Sequence, residues 1–188
     1  MVCEGSPVQV IAITVVLAPE DYLSEMESAM QQPCIDCALR ADRIFCDLPP
    51  NALEAFDSLK STILCPRNMI LFREGQPVRS VFVLCEGRAR LSVCSESGKR
   101  LTLHVAGAGE ILGLSAAVSG GEYEATAELL DNSRVAWVKR KDLLGFLRDH
   151  REACLRVVDL LSQDLHLAYD RVRSVGLGRA RRSRTAAV

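Results

Sequence analysis

Ala89-Arg90-Leu91-Ser92-Val93-Cys94, the polar link Ser95-Glu96-Ser97-Gly98-Lys99, and Arg100-Leu101-Thr102-Leu103-His104-Val105 decide how this chain folds. Side chains in a strand alternate between two faces. Ala89, Leu91 and Val93 therefore share one side and Arg90, Ser92 and Cys94 the other, while Leu101, Leu103 and Val105 stand opposite Arg100, Thr102 and His104. The pattern predicts two strands, each with one buried and one wetted face, joined by a hairpin in which Gly98 supplies a left-handed backbone angle. Working outward, Gly75, Gly87, Gly98 and Gly109 recur at intervals of eleven or twelve residues. Each interval holds one strand and one turn, so residues 67–138 are predicted to form a sandwich or barrel of short antiparallel strands.

Helical patterns flank this region. Leu48-Pro49-Pro50-Asn51 breaks the chain and starts a short amphipathic helix with Ala52, Leu53, Phe56 and Leu59 on one side, suited to covering one end of a roll. After the strands, Lys141 to Leu147 reads as a short helix and a longer one begins near His150. Within it Cys154, Val158, Leu161, Leu165, Ala168, Val172 and Val175 follow steps of four and three, a heptad seam. Val157, Leu160 and Leu167 widen the apolar face enough for the helix to pack on the roll as well as on a partner.

The 188 residues carry a net charge of −1, with 48% hydrophobic and 25% charged residues, an ordinary composition for one cored domain with an appendage. Eight cysteines would suit secretion, but the N-terminus lacks a basic region and a cleavage pattern. The apolar run Val8 to Ala18 is too short to span a bilayer. The expectation is a cytoplasmic chain, not held in a membrane, with reduced thiols. Residues 1–32 are read as a poorly ordered extension despite the β-prone stretch Val10 to Val16.

Leu71-Phe72-Arg73-Glu74-Gly75, Val81 to Ala89, Gly98-Lys99-Arg100 and the run Gly107 to Gly113 together resemble the effector domain of the Crp/Fnr family of bacterial transcription regulators. The resemblance runs from about Cys34 to Arg179. It implies a mainly β fold with flanking helices (α+β): an antiparallel jelly-roll, or double-stranded β-helix, of the cyclic-nucleotide-binding type, followed by a long dimerisation helix. On that basis residues 33–140 form the roll with its cysteine segment and short helix, 141–178 the two later helices, and 179–188 a basic disordered tail. The heptad seam then serves a parallel homodimer. In the family, a hinge like Ser174-Val175-Gly176-Leu177-Gly178-Arg179 leads into a winged helix-turn-helix. Residues 180–188 are too few for one, so the chain reads as truncated before its DNA reader. DNA is expected as a partner only where the full family architecture is present, beyond weak phosphate contact by Arg179, Arg181, Arg182 and Arg184.

In the family's cyclic-nucleotide binders, a glycine and backbone N–H groups face the phosphate, a glutamate takes the ribose hydroxyl, and an arginine about ten residues later neutralises the phosphate. The candidate effector pocket carried over is Gly109, Glu110, Gly113, Leu114, Ser115, Glu124, Ala125 and Thr126. Setting Gly113 at the pocket glycine puts Leu114 where the ribose glutamate belongs and Glu124 where the arginine belongs, and a carboxylate there repels a phosphate. Moving Glu110 into the glutamate's place does not help, because no arginine or lysine occurs between Arg100 and Arg134. The expectation is a degenerate pocket that keeps the turn without its chemistry, with the effector unknown.

Cys34, Cys37 and Cys46 follow the spacing C-x2-C-x8-C, which resembles the cysteine cluster of the family's oxygen-sensing branch. The resemblance implies an iron–sulfur cluster or zinc, since a two-residue gap lets two sulfurs point at one centre. A fourth ligand is absent from the matching late strand Ser133 to Trp137, leaving Cys65, Cys85 or Cys94 as substitutes. The competing reading is reduced thiols packing the loop. An enzyme of the cupin kind, which shares the jelly-roll, is disfavoured: His104, His150 and His166 are the only histidines, none paired two apart, and no nucleophile and base are recognisable. The functional expectation is the sensory and dimerisation domain of a Crp/Fnr-type regulator, not an enzyme, with a redox or metal sensor through Cys34, Cys37 and Cys46 as the alternative.

Overall fold

The computed structural model describes residues 33–37, 40, 46–95 and 97–184, excepting the side chains of 171 and 174–184. The extension over 1–32 lies outside these residues. The strands are β1 (Ser61–Cys65), β2 (Ile70–Phe72), β3 (Ser80–Glu86), β4 (Ala89–Cys94), β5 (Arg100–Ala106), β6 (Ile111–Leu112), β7 (Thr126–Leu129) and β8 (Ser133–Lys139). They form two four-stranded antiparallel sheets in the orders β1-β8-β3-β6 and β2-β7-β4-β5. Apart from the β4–β5 hairpin, successive strands alternate between the sheets, which is the jelly-roll arrangement.

The helices are α1 (Pro50–Leu59), α2 (Leu114–Ser119), α3 (Arg140–Asp149) and α4 (Arg151–Arg184). They explain why β3 and β8 read as continuous apolar runs. Leu84 and Val135 face the space between the sheets, beside Phe72, Leu112 and Leu129. Val81, Val83, Ala136 and Val138 point the other way, onto Leu53 and Phe56 of α1, Leu143 and Phe146 of α3, and Ala153 and Val157 of α4. A sheet covered on both faces needs no polar alternation. Phe56 and Phe146 meet with ring centroids 5.5 Å apart, joining α1 to α3. Pro50 opens α1 where its missing N–H costs nothing, and Ala52, Leu53 and Phe56 are buried as expected, while Leu59 stays at the surface.

The second sheet corrects the reading of the β4–β5 hairpin. Leu101, Leu103 and Val105, expected to be buried, are 61%, 36% and 45% exposed, because β5 is the edge strand and only its end at Ala106 reaches the core. Along the β4–β5 ladder the register shifts between Leu91 and Ser92, with Leu103 of β5 as the extra residue, and Ser92 on the expected polar face of β4 is buried at 2% exposure. An extra residue at such a bulge disturbs the alternation of the strand that carries it, here β5. A further difference is at the C-terminal side: α4 continues through Gly176 and Gly178 to Arg184, where a hinge and an unstructured basic tail were expected.

Candidate functional site

Strand β6 leads into Gly113, which takes φ +77° and caps the N-terminus of α2; Gly120, at φ +79°, closes the other end. A side chain at Gly113 would be strained by that angle, and its Cβ would stand 2.7 Å from the Tyr123 ring. Tyr123 is 5% exposed and stacks on Phe72 with centroids 4.0 Å apart. Its hydroxyl donates to the Ser80 carbonyl (2.6 Å) and accepts from the Ser80 N–H (3.4 Å). Its backbone N–H donates to the Gln76 carbonyl, and its carbonyl accepts from the Gly75 N–H. The ring is thus pinned at both ends, against the glycine that would have to face a phosphate.

The other pocket residues differ in their surroundings. Leu114 is buried in the core beneath the helices, and Ser115 and Glu124 are exposed. Ala125 is half-buried, and the Thr126 hydroxyl accepts from the Glu74 N–H at 3.1 Å. Gly109 donates to the Leu84 carbonyl, tying its turn to β3. The Glu110 carboxylate accepts from the Gly107 N–H through Oε1 and pairs with His104 Nε2 through Oε2, both at 2.7 Å. His104, expected to be merely solvated, therefore helps hold that turn. Sequence reasoning also missed Arg140. Its guanidinium lies over Gly120 and donates to the Ala117 carbonyl (2.8 Å), a favourable place for a cation at the C-terminus of α2. That arginine arrives from α3, outside the interval in which a pocket cation was sought, and it serves the helix end. An aromatic beside the expected arginine position was the available signal for Tyr123.

Residues 63–150 match the family pattern of the cyclic nucleotide-binding domain. The chain is 29% identical over 140 residues to the transcriptional activatory protein AadR of Rhodopseudomonas palustris, covering 74% of this chain and 57% of that protein. It is 25% identical over 134 residues to the cyclic AMP receptor protein of Thermus thermophilus, covering 69% and 62%. The similarity is to the cyclic nucleotide-binding domain and to proteins of the Crp/Fnr type. The crystal structure of the Thermus thermophilus catabolite activator protein superposes with a TM-score of 0.64 at 22% identity, over 71% of this chain and 62% of that one, which establishes the shared fold. The chain thus spans less than two thirds of the length of the two relatives.

Four of the cysteines lie around α1. A 3-10 turn, Cys34–Asp36, sits beside α1, where the Cys34 N–H donates to Asp57 Oδ2 at 2.8 Å. Lys60 Nζ stands 2.9 Å from Cys34 Sγ and 2.5 Å from Asp57 Oδ1. Burial pushes the Cys34 thiol up to about 12, and the Lys60 ammonium, which pulls it down, does not offset this. Cys34, Cys37, Cys46 and Cys85 all line one cavity of about 30 Å³ against α1. Cys85 reaches it from β3, whereas Cys65 belongs to the core between the sheets and Cys94 is not on the cavity. The donor type suits a thiophilic ion, but among the described residues no three such side chains stand close enough to grip one. The space holds an atom or two of water size, too little for a multi-iron cluster.

The seam residues fall on one side of α4. Val158, Leu165 and Val172 are 56%, 52% and 71% exposed, and Cys154 and Ala168 are exposed too. Leu161 is half-buried and touches the core, and Val175 lies among the side chains not described. The stripe that packs on the roll is a different one, Ala153, Val157 and Leu160, about a quarter-turn away. No helix among the described residues is long and apolar enough to cross a membrane.

Proposed function

We propose that this chain is the sensory and dimerisation part of a cytoplasmic Crp/Fnr-type transcription regulator, acting by binding and not by catalysis, with a nucleotide pocket that lacks ligand chemistry. The observation that carries this reading is the two-faced helix α4. Its inward stripe is already satisfied by the roll, so the exposed Val158, Leu165 and Val172 are left for a second copy. A stripe of that length is a liability in a monomer, and pairing two copies removes both from water. Among the described residues no helix-turn-helix follows α4, so the reading assigns DNA recognition to none of them. Multi-angle light scattering at tens of micromolar tests the assembly. A dimer mass is expected, and a monomer would contradict the reading.

The pocket half of the proposal rests on Tyr123 packed against Gly113, Leu114 turned into the core, and Glu124 in the arginine's place. A second reading, a thiol-based metal sensor, is favoured by the cavity shared by Cys34, Cys37, Cys46 and Cys85. Those four thiols would hold a single soft ion such as zinc after converging, and each would lose its proton on binding, against the burial that keeps Cys34 protonated. Metal analysis and the absorption spectrum of protein purified without oxygen decide this reading. Near-stoichiometric zinc, lost in Cys85→Ser, is its expected result. Less than about a tenth of an equivalent of metal would end it.

A further inference from the structure

A second cleft opens beside the Tyr123 ring, on the β2–β3 side and away from the residues carried over from the family's pocket. Its volume is about 420 Å³, in the range of sites that enclose organic ligands of one to three rings. Its apolar wall is aromatic. Phe72, Phe82 and Tyr123 line it, with Phe72 stacked on Tyr123 and its ring centroid 5.7 Å from that of Phe82. Phe72 and Tyr123 are almost fully buried, whereas Phe82 is only half-buried and leaves ring surface toward the cleft. The wall is also fixed in place, because the Tyr123 hydroxyl engages both backbone groups of Ser80.

Beside the Ser80 hydroxyl, the cleft carries the donors of Arg79 and Gln76. Arg79 is exposed, and its guanidinium has no ion-pair or hydrogen-bond partner among the described residues. Gln76 uses its Oε1 to accept from the Arg73 N–H at 3.0 Å, which leaves its amide N–H groups unengaged. An unpaired guanidinium beside a donor amide and a flat aromatic wall is complementary to a planar anion attached to a ring. A phosphate, with three oxygens and up to two charges, calls for more donors than Arg79 and Gln76 supply.

We infer that this cleft is a binding site for an aromatic carboxylate, with the ring against Phe82 and the carboxylate paired by Arg79. The site needs neither the dimer nor the nucleotide turn. Its ligand would bear on the Phe72–Tyr123 pair that packs over Gly113, which makes it a route for an effector to reach α2.

Naphthoate is the probe, with naphthamide as its uncharged twin, titrated into the full chain and followed by amide chemical shifts. Naphthoate is expected to bind with a dissociation constant below about 1 mM, shifting Gln76, Arg79 and Ser80. Arg79→Ala should weaken it at least about tenfold while leaving naphthamide unchanged, and Arg79→Lys should recover only part of the loss, since an ammonium lacks the planar fork. The side chain is exposed, so these variants fold. No saturable binding, equal affinity for the amide and the acid, shifts confined to other residues, or an unaltered Arg79→Ala would each overturn the assignment.

Discussion

Leu165→Asp is expected to turn a dimer into a folded monomer. Leu165 is 52% exposed on the outward stripe of α4 and belongs to neither core cluster, so a charge there leaves each roll as it is. In a paired helix the same side chain would sit in the seam. Losing its burial costs about 1.5–3 kcal/mol per copy, or about 3–6 kcal/mol per dimer, which weakens the dissociation constant by roughly two to four powers of ten. Burying the new carboxylate would add to that. Leu161→Asp is a poorer test, because Leu161 also packs against the domain's own core and its loss would mix unfolding with dissociation. The measurement is light scattering with circular dichroism: helix content kept and mass halved. A variant that stays dimeric would show that α4 does not form the interface.

The largest loss of stability should come from Tyr123→Ala. The change removes a buried ring stacked on Phe72 and leaves a cavity against Gly113, for which about 3–5 kcal/mol is typical. It also strands the Ser80 carbonyl, which accepts the hydroxyl's hydrogen bond at 2.6 Å. For a chain of this size, that lowers the melting temperature by roughly 6–20 °C. Tyr123→Phe keeps the ring and forfeits the bond, costing about 1 kcal/mol. Glu124→Ala, at an exposed position next door, should fall within about 0.5 kcal/mol of the parent. Thermal melts of the three variants check the order. Comparable melting for Tyr123→Ala and Glu124→Ala would mean that the ring is not a packed element.

Much of the roll was legible because periodicity is a local property. Alternation and glycine spacing marked the strands of the roll, and the three-four rhythm marked the seam of α4. Alternation says which side chains share a face, however, and not whether anything covers it. Leu101, Leu103 and Val105 were misread for that reason, since β5 lies at a sheet edge. The shift at Leu91 and Ser92 has no signature in the pattern at all.

The site was less legible than the fold, because its decisive neighbours are distant in the chain. Tyr123 meets Phe72 and Ser80 only after β2 pairs with β7 and the Pro77–Glu122 bridge closes. Arg140 and Arg79 enter from α3 and the β2–β3 connection, outside the stretch in which a cation was sought. Of the three substitutes offered for a fourth ligand, spacing could not single out Cys85, which shares a cavity with Cys34, Cys37 and Cys46.

Isothermal titration of the full chain with cyclic AMP and cyclic GMP tests the central proposal, that this roll keeps the fold of a cyclic nucleotide-binding domain without the nucleotide chemistry. With Tyr123 against Gly113, Leu114 in the core and a carboxylate at Glu124, no saturable heat is expected up to about 100 µM of either nucleotide. Saturable binding at low-micromolar affinity would contradict it.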